Sequence, residues 1–385
     1  MKRRNFLTSI SYGAMASTGM VSSWSARAAG TGVTASRITL GSTAALSGML
    51  AGRGADALVG MNAALAAINK DGGVLGRELR LVSLDDAYVP ARSVANVKRL
   101  IETEGAFALL SCTGTANNAA IIPLVEQVGM PYVGPMSGAA SLRKSNESHV
   151  FHVKAGYAEE VARMTQELVT MGLRDVAVAY LDNPFGTELS ASIGTCLLAT
   201  QRKPVGAVAV SADGKNVAQA AALLLALQPN VVVLATTGTI SADVVLALRS
   251  KSPGLPIVGI SVSVIPSDFE KLGPAAKGLA LTQVFPDAMS AKRESVRAYQ
   301  AVMRASGHEQ FNSTSFEGYV NAMVLAEALR RTGRDLTREG LRASLASMKK
   351  FALGDYTLGF DGSAPFVASR YVEMRVLGAS GRFIG

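Results

Sequence analysis

Two patterns of apolar residues alternate along the chain. Over 56–70, apolar side chains recur every three or four positions and fall on one face of a predicted helix. Over 176–180 and 231–235 the apolar residues are continuous, which is typical of strands buried on both faces of a parallel sheet. The regular alternation of the two patterns predicts sheets that are covered by helices on both sides.

This alternation occurs twice. A first series of predicted strands and helices ends at 149–152, and a second runs from a helix over 159–171 to a strand over 257–260. The rest of the chain holds two long predicted helices and two strand segments, which must add to one unit or the other, over 291–306, 317–331, 356–360 and 371–377. The sequence therefore predicts an α/β fold with two doubly wound, mostly parallel sheets.

The first 28 residues have the composition of an export signal. A basic start at 2–4 precedes a weakly apolar stretch, which ends in an A-x-A cleavage motif at 26–28. The residues RRNFL at 3–7 also match the twin-arginine export pattern, and a Sec-type signal is the alternative. We therefore expect a signal peptide over 1–28 and a mature protein outside the cytoplasm.

Removal of this signal changes the charge balance. The chain has 38 Lys and Arg against 29 Asp and Glu, and a formal net charge of +9. Residues 1–28 hold four of the basic residues and no acidic residue, so 34 against 29 leaves +5 after cleavage. The remaining basic residues are scattered, and no basic run is interleaved with aromatic residues, so we do not expect nucleic-acid binding. Past the signal no apolar run approaches the ~18 residues of a membrane span, and we expect the mature chain to be soluble.

The sequence lacks the residue patterns of common catalytic and metal sites. Its three histidines and two cysteines show no zinc-binding spacing, and it has neither a Walker motif nor a G-x-S-x-G nucleophile elbow. Asp85 and Asp86 follow a predicted strand, and we interpret them as caps at the approach to the next helix. We therefore expect a binding protein without catalytic residues, a metal ion or a cofactor.

A glycine motif, Gly52-x-Gly54-x-x-Ala57, spells the fingerprint of a dinucleotide-binding turn. That fingerprint needs an acidic residue ~20 positions after the glycines, at the end of the second strand. Here the second predicted strand ends at Asp85, 31 residues after Gly54, and the predicted loop over 42–56 is too long for the tight turn. We therefore exclude a nucleotide site and interpret the motif as a loop of a different ligand cleft.

A series of motifs resembles the type I periplasmic binding proteins, and among them the leucine/isoleucine/valine-binding branch. The likeness runs from about residue 38 to the end of the chain and rests on ALSGMLAGRG, AAINKDGGVLGRELRLVSLDDAYVP, SCTGT, VGPMSGAASL, VFHVKAGY and NPFG. The resemblance implies a monomeric solute receptor in the periplasm that serves an ABC permease of the inner membrane. A receptor that senses its ligand for signalling, rather than for uptake, is the alternative with the same fold.

The resemblance also implies two lobes that are joined by a hinge with three crossings. The first lobe would comprise 31–152 and 281–349, and the second 153–280 and 350–385. A ligand would bind in the cleft at the carboxyl ends of both sheets, and closure about the hinge would trap it.

Loops that follow the predicted strands supply the candidate ligand contacts. Two such loops in the first lobe each precede a helix, where free backbone N–H groups and hydroxyls suit a carboxylate. The candidates are Thr113, Thr115, Ser137 and Gly138 in the first lobe, and Tyr157, Phe185, Thr237 and Ser261 in the second. For Thr115 and Ser137 a role as helix N-caps is the alternative.

The charge of the predicted cleft departs from that of the amino-acid receptors which the chain resembles. Those receptors place an acidic residue near Ser261, whereas this chain has none until Asp268. Arg53 stands where they commonly carry an aromatic residue, and it faces either the ligand or solvent. By charge complementarity we expect an organic acid, aromatic or dicarboxylic, rather than a plain branched-chain amino acid.

Overall fold

The computed structural model describes residues 32–378 and 381–384. The predicted signal peptide over 1–28 lies outside the described residues. Within them the chain forms fifteen strands and eleven α-helices. The strands are β1 Arg37–Ala44, β2 Glu78–Asp85, β3 Ala108–Leu110, β4 Tyr132–Val133, β5 Val150–His152, β6 Val176–Leu181, β7 Gly206–Val210, β8 Val231–Ala235, β9 Ile257–Gly259, β10 Leu279–Gln283, β11 Phe351–Leu353, β12 Tyr356–Leu358, β13 Phe366–Val367, β14 Glu373–Leu377 and β15 Phe383–Ile384.

The helices alternate with these strands. They are α1 Ala51–Lys70, α2 Pro90–Glu102, α3 Thr115–Gln127, α4 Tyr157–Thr170, α5 Pro184–Ala199, α6 Val217–Ala226, α7 Thr239–Lys251, α8 Phe269–Leu272, α9 Glu294–Ala305, α10 Ser313–Thr332 and α11 Arg338–Ala346. Short 3₁₀ turns lie at Ala140–Leu142, Pro266–Asp268 and Gly273–Ala276. No helix of the described residues is long and apolar enough to cross a membrane.

Two larger sheets organise these elements into two lobes. The first has the strand order β13-β5-β4-β3-β1-β2, with every neighbouring pair parallel. The second has the order β15-β14-β10-β9-β8-β6-β7 and is parallel except at β14 and β15. The predicted α/β fold with two doubly wound lobes is confirmed. The runs that lack alternation, β6 and β8, each lie between two other strands of the second sheet, as expected for strands covered on both faces.

The chain passes between the sheets three times, as the resemblance implied. The crossings are at 153–156 after β5, at 284–285 after β10 and at 369–372 before β14. The expected boundary at residue 350 needs correction, because the chain from β11 to β13 stays with the first lobe. Phe366 pairs with Phe151 of β5, and their rings stack with centroids 4.7 Å apart. Burial of these aromatic side chains in the first core holds the segment there.

The glycine motif is helical rather than a loop, because α1 begins at Ala51 and not near residue 56. The amide of Gly54 donates to Leu50 O over 3.0 Å, and a side-chain carbon on Gly54 would lie 2.0 Å from Ala45 O. Gly54 therefore lets the first turn of α1 pack directly on the end of β1.

Close packing of α1 against α10 also depends on glycine. A side-chain carbon on Gly60 would lie 1.8 Å from Ser315 O, and one on Gly318 would lie 2.2 Å from Ala57 O. The two backbones therefore touch, and this contact brings Arg53 of α1 beside Glu317 of α10.

The two carboxylates at the end of β2, Asp85 and Asp86, fix the loop that leads into α1. Asp85 accepts hydrogen bonds from the amides of Leu46 and Ser47 and from the Ser47 hydroxyl. Asp86 is fully buried and accepts from the hydroxyls of Thr43 and Ser93. Both carboxylates thus bind their own lobe. They accept from the amides of Ala87 and Tyr88 at the approach to α2, but neither caps the helix, because its N-cap residue Val89 receives no side-chain hydrogen bond.

Candidate ligand-binding cleft

The two lobes touch across the cleft between the carboxyl ends of their sheets. A side-chain carbon on Gly52, in the first turn of α1, would lie 2.1 Å from Ser267 Oγ of the second lobe. One on Gly238, at the start of α7, would lie 2.5 Å from Met49 O of the first lobe. Contacts this close show that the lobes are in a closed arrangement.

Two loops of the first lobe bring hydroxyl groups together at this edge. Since β3 and β4 are parallel neighbours, the residues that follow them meet, and the hydroxyls of Thr115 and Ser137 share a hydrogen bond of 2.8 Å. Gly114 and Ala139 occupy the N-cap positions of the helical turns that follow, so neither hydroxyl acts as a cap. The Thr113 hydroxyl is fully buried and has no hydrogen-bond partner among the described residues. These groups form a set of donors that suits a carboxylate.

An aromatic wall from the second lobe covers the same loops. A side-chain carbon on Gly138 would lie 2.6 Å from the Tyr157 ring, so only glycine leaves room for that ring. The Tyr157 hydroxyl hydrogen-bonds with Ser137, and burial raises the pKa of Tyr157 above its ordinary value. Phe185 packs edge-on against Tyr157 with ring centroids 5.6 Å apart. The structure thus brings four of the predicted site residues together, namely Ser137, Gly138, Tyr157 and Phe185.

Arg53 lies inside the protein, with 4% of its surface exposed, and binds a carboxylate. Its Nη2 is 2.8 Å from Glu317 Oε2, and Lys154 Nζ of the first crossing is 2.8 Å from Glu317 Oε1. Burial alone would raise the pKa of Glu317, but the charges of Lys154 and Arg53 outweigh it and hold that pKa below its ordinary value. For Lys154, burial lowers the pKa despite the opposing charge of Glu317. Arg53 therefore does not point to solvent, which removes one of the two alternatives.

Ser261 also has an acidic partner, contrary to the expectation from its sequence neighbours. Its amide donates to Glu160 Oε2 over 2.7 Å and its hydroxyl to Oε1 over 3.1 Å. The Thr282 hydroxyl donates to the same carboxylate. Burial raises the pKa of Glu160 above its ordinary value, although these hydrogen bonds oppose the rise. The carboxylate comes from α4, 101 residues earlier in the chain, so the sequence around Ser261 does not indicate it.

The charge argument from the sequence is therefore incomplete. The cluster holds two cations, Arg53 and Lys154, and two anions, Glu160 and Glu317, which we call the four-charge cluster. The cleft does not simply gain a cation and lose an anion, because tertiary packing supplies two carboxylates. Glu317 lies in the segment FNSTSFEGY at 311–319, and nothing in the sequence around it distinguishes a buried glutamate from an exposed one.

Two open spaces adjoin this cluster. A cavity of about 10 Å³, which is room for about one water molecule, is lined by Arg53, Ser261 and Glu317 among others. A groove of about 760 Å³ runs between the lobes and shares Gln283 and Ser313 with that cavity. The groove thus leads from the surface towards the four-charge cluster.

Thr237 is a further predicted site residue of the second lobe. Its hydroxyl donates to Val262 O over 2.5 Å, within the second lobe.

The described residues contain no cluster of His, Cys, Asp and Glu that could hold a metal ion.

Comparison with known proteins agrees with this arrangement. A family profile described as periplasmic binding protein matches residues 37–370. The chain belongs to this family. A Leu/Ile/Val-binding protein homolog 7 from Brucella melitensis is 27% identical to this periplasmic binding protein over 172 residues, which are 42% of this chain and 43% of that protein.

Solved structures match over a larger share of the chain. A substrate-binding periplasmic protein from Ralstonia solanacearum is 29% identical, with a TM-score of 0.83 over 90% of this chain and 99% of that chain. A possible leucine/isoleucine/valine-binding protein from Rhodopirellula baltica is 25% identical, with a TM-score of 0.84 over 91% and 97%. The predicted relation to the leucine/isoleucine/valine-binding branch is confirmed.

Proposed function

We propose that this protein is the substrate-binding component of an ABC importer. It is exported to the periplasm through its signal at 1–28, by the twin-arginine route, and acts as a monomer. It captures an amino acid or a related small carboxylate between its lobes and delivers it to a permease in the inner membrane. The observation that carries this proposal is the set of hydroxyls from Thr113, Thr115 and Ser137, covered by an aromatic wall from the opposite lobe.

The ligand carboxylate is expected to bind these hydroxyls. The start of α3 adds backbone N–H groups, and its positive dipole end favours an anion. The hydroxyls of Thr113, Thr115 and Ser137 belong to buried residues in the closed arrangement, so the lobes must separate before the ligand enters and close around it afterwards. Closure then removes the carboxylate from water, which strengthens its hydrogen bonds.

The four-charge cluster decides between two ligand types. The amine of a zwitterionic amino acid would interact with Glu160 or Glu317, whereas a second carboxylate would interact with Arg53. We keep the organic acid as the ligand hypothesis because Arg53 presents a buried guanidinium, which suits a carboxylate. The names of the two relatives point instead to branched-chain amino acids, so the experiment must include both classes.

A thermal-shift screen of the mature protein tests the proposal. A ligand that binds only the folded state raises the Tm, and calorimetry then measures its Kd. We expect a clear rise with at least one of leucine, benzoate or succinate. A Ser137→Ala variant should bind that compound roughly tenfold more weakly. The matched control is Thr195→Ala on the exposed face of α5, which should bind normally.

Two results would contradict the proposal. If no small carboxylate raises the Tm, the proposed ligand site is wrong. If the parent and Ser137→Ala bind the ligand with the same Kd, the ligand binds at another place. The importer role has its own test, which is uptake of the radiolabelled ligand by cells with and without the gene. Unchanged uptake together with a lost response to the ligand would favour the signalling receptor.

A further inference from the structure

Glu188 of the second lobe forms hydrogen bonds with the loop that follows β4 in the first lobe. Its Oε1 accepts from the Ala140 amide over 2.6 Å, and its Oε2 accepts from the Ser141 hydroxyl over 2.5 Å. Glu188 belongs to α5 of the second lobe, whereas Ala140 and Ser141 belong to the first lobe. These hydrogen bonds must break when the lobes separate.

Phe185 and Glu188 hold the same loop from one face of α5. They are three residues apart, so both side chains lie on one face of α5, on adjacent turns. Phe185 packs on Tyr157, whose ring lies on Gly138, and Glu188 binds the loop two residues further on. Ser137 immediately precedes Gly138 in this loop, and the Ala139 amide, between the two contacts, donates to the Ser137 hydroxyl over 3.2 Å.

We infer that Glu188 is a positioning residue that fastens the closed lobes and orients the Ser137 loop for the ligand. The inference rests on the proposed interlobe site and adds to it a specific contact that forms only on closure. Hydrogen bonds to a carboxylate are stronger than neutral ones, and Glu188 is half-buried while its partners Ala140 and Ser141 are exposed. Its loss should therefore open the lobes and speed ligand release without unfolding either lobe.

A distance measurement between the lobes tests this without a ligand. Spin labels at Lys98→Cys in α2 and Lys203→Cys before β7 lie on exposed positions of different lobes, in a Cys196→Ser background. Double electron–electron resonance should show a larger share of long distances between the two labels in Glu188→Gln than in the parent. The matched control is Glu167→Gln in α4, where the glutamate pairs with Arg163 on the surface of the same lobe.

The ligand arm uses whichever of leucine, benzoate or succinate binds in the screen. Its dissociation rate should rise roughly three- to tenfold in Glu188→Gln, with the Tm of the ligand-free protein close to that of Glu167→Gln. Ser141→Ala removes one of the two contacts from the opposite side and should show a smaller effect. The double variant should then fall short of the sum of the single effects, because the two groups act through one contact.

Unchanged distances and unchanged dissociation in both Glu188→Gln and Ser141→Ala would overturn the inference. Because the distance measurement needs no ligand, it still tests the role of Glu188 in closure if the ligand screen fails. If Glu188→Gln does not fold, Ser141→Ala at its exposed position provides the same distance comparison.

Discussion

Arg53 and Glu317 form a buried ion pair, with Nη2 and Oε2 2.8 Å apart. The pair joins the first turn of α1 to the second turn of α10, and Lys154 from the hinge binds the other oxygen of the same carboxylate. Arg53, a candidate ligand contact, and Lys154, from the first crossing between the lobes, thus share one glutamate.

Replacement of Arg53 by alanine should destabilise the protein and weaken the binding of dianions. Removing one partner of a buried pair typically costs ~3 kcal/mol, because the remaining charge stays buried. Lys154 still faces Glu317, so we expect about 2–3 kcal/mol in urea unfolding. Arg163→Ala on the surface of α4 is the control and should cost less than about 1 kcal/mol. Calorimetry should show a greater loss of affinity for succinate than for leucine. An equal loss for both would contradict a specific contact between Arg53 and a second carboxylate, and no loss for either would place Arg53 outside the ligand site.

The crossing of α1 and α10 should not tolerate a side chain at Gly60. A methyl group there would lie 1.8 Å from Ser315 O, and Gly60→Ala should cost roughly 2–4 kcal/mol in urea unfolding. Gly194→Ala is the matched control, since Gly194 lies in the interior of α5 with open space around it. That change should stabilise the protein by about 0.5–1 kcal/mol. Similar effects of the two substitutions would show that the helices do not pack this closely.

The stability of the second lobe should depend on the protonation of Asp268. Burial raises the pKa of Asp268 to about 6 from 3.8, and its Oδ2 has no hydrogen-bond partner among the described residues. A carboxyl whose folded pKa is raised stabilises the fold fully below pH 3.8, and this contribution is lost as the pH rises through about 6. Asp268→Asn should therefore have a higher Tm than the parent at pH 7.5, and the difference should vanish near pH 4.

Exposed Asp361 provides the control for that titration. Asp361→Asn should leave the difference in Tm from the parent nearly constant between pH 4 and pH 7.5. A Tm difference for Asp268→Asn that does not vary with pH would mean that the carboxyl is ionised throughout this range.

The Tyr157 hydroxyl should contribute to ligand binding more than to folding. Tyr157→Phe keeps the ring on Gly138 and its contact with Phe185 but removes the hydrogen bond to Ser137. We expect a loss of about 1 kcal/mol in the binding free energy of a carboxylate, measured by calorimetry, with little change in urea unfolding. Tyr356→Phe removes the hydrogen bond from the buried Tyr356 hydroxyl to Ser369 in the first core. This variant should lower the free energy of unfolding more than the free energy of ligand binding.

The candidate site could be predicted where local rules were enough. Carboxyl ends of parallel strands meet at one edge of a sheet, so the loops after β3 and β4 were expected to come together, and Thr115 and Ser137 do so. The resemblance to a family implies Phe185 as an aromatic cover of the cleft. The structure packs Phe185 against Tyr157, and its contact with a ligand stays a prediction. The start of α1 was misplaced, because glycines usually mark a loop and here serve the close packing of a helix.

By itself, the sequence determined the succession of strands and helices and their division into two doubly wound lobes. These follow from periodicity, which is a property of neighbouring residues. Only the tertiary structure decided that Arg53 pairs with Glu317, that Glu160 reaches Ser261, and that β13 returns to the first sheet. Each of these depends on side chains from elements that are distant along the chain, and burial in a packed core is what forces such partners together.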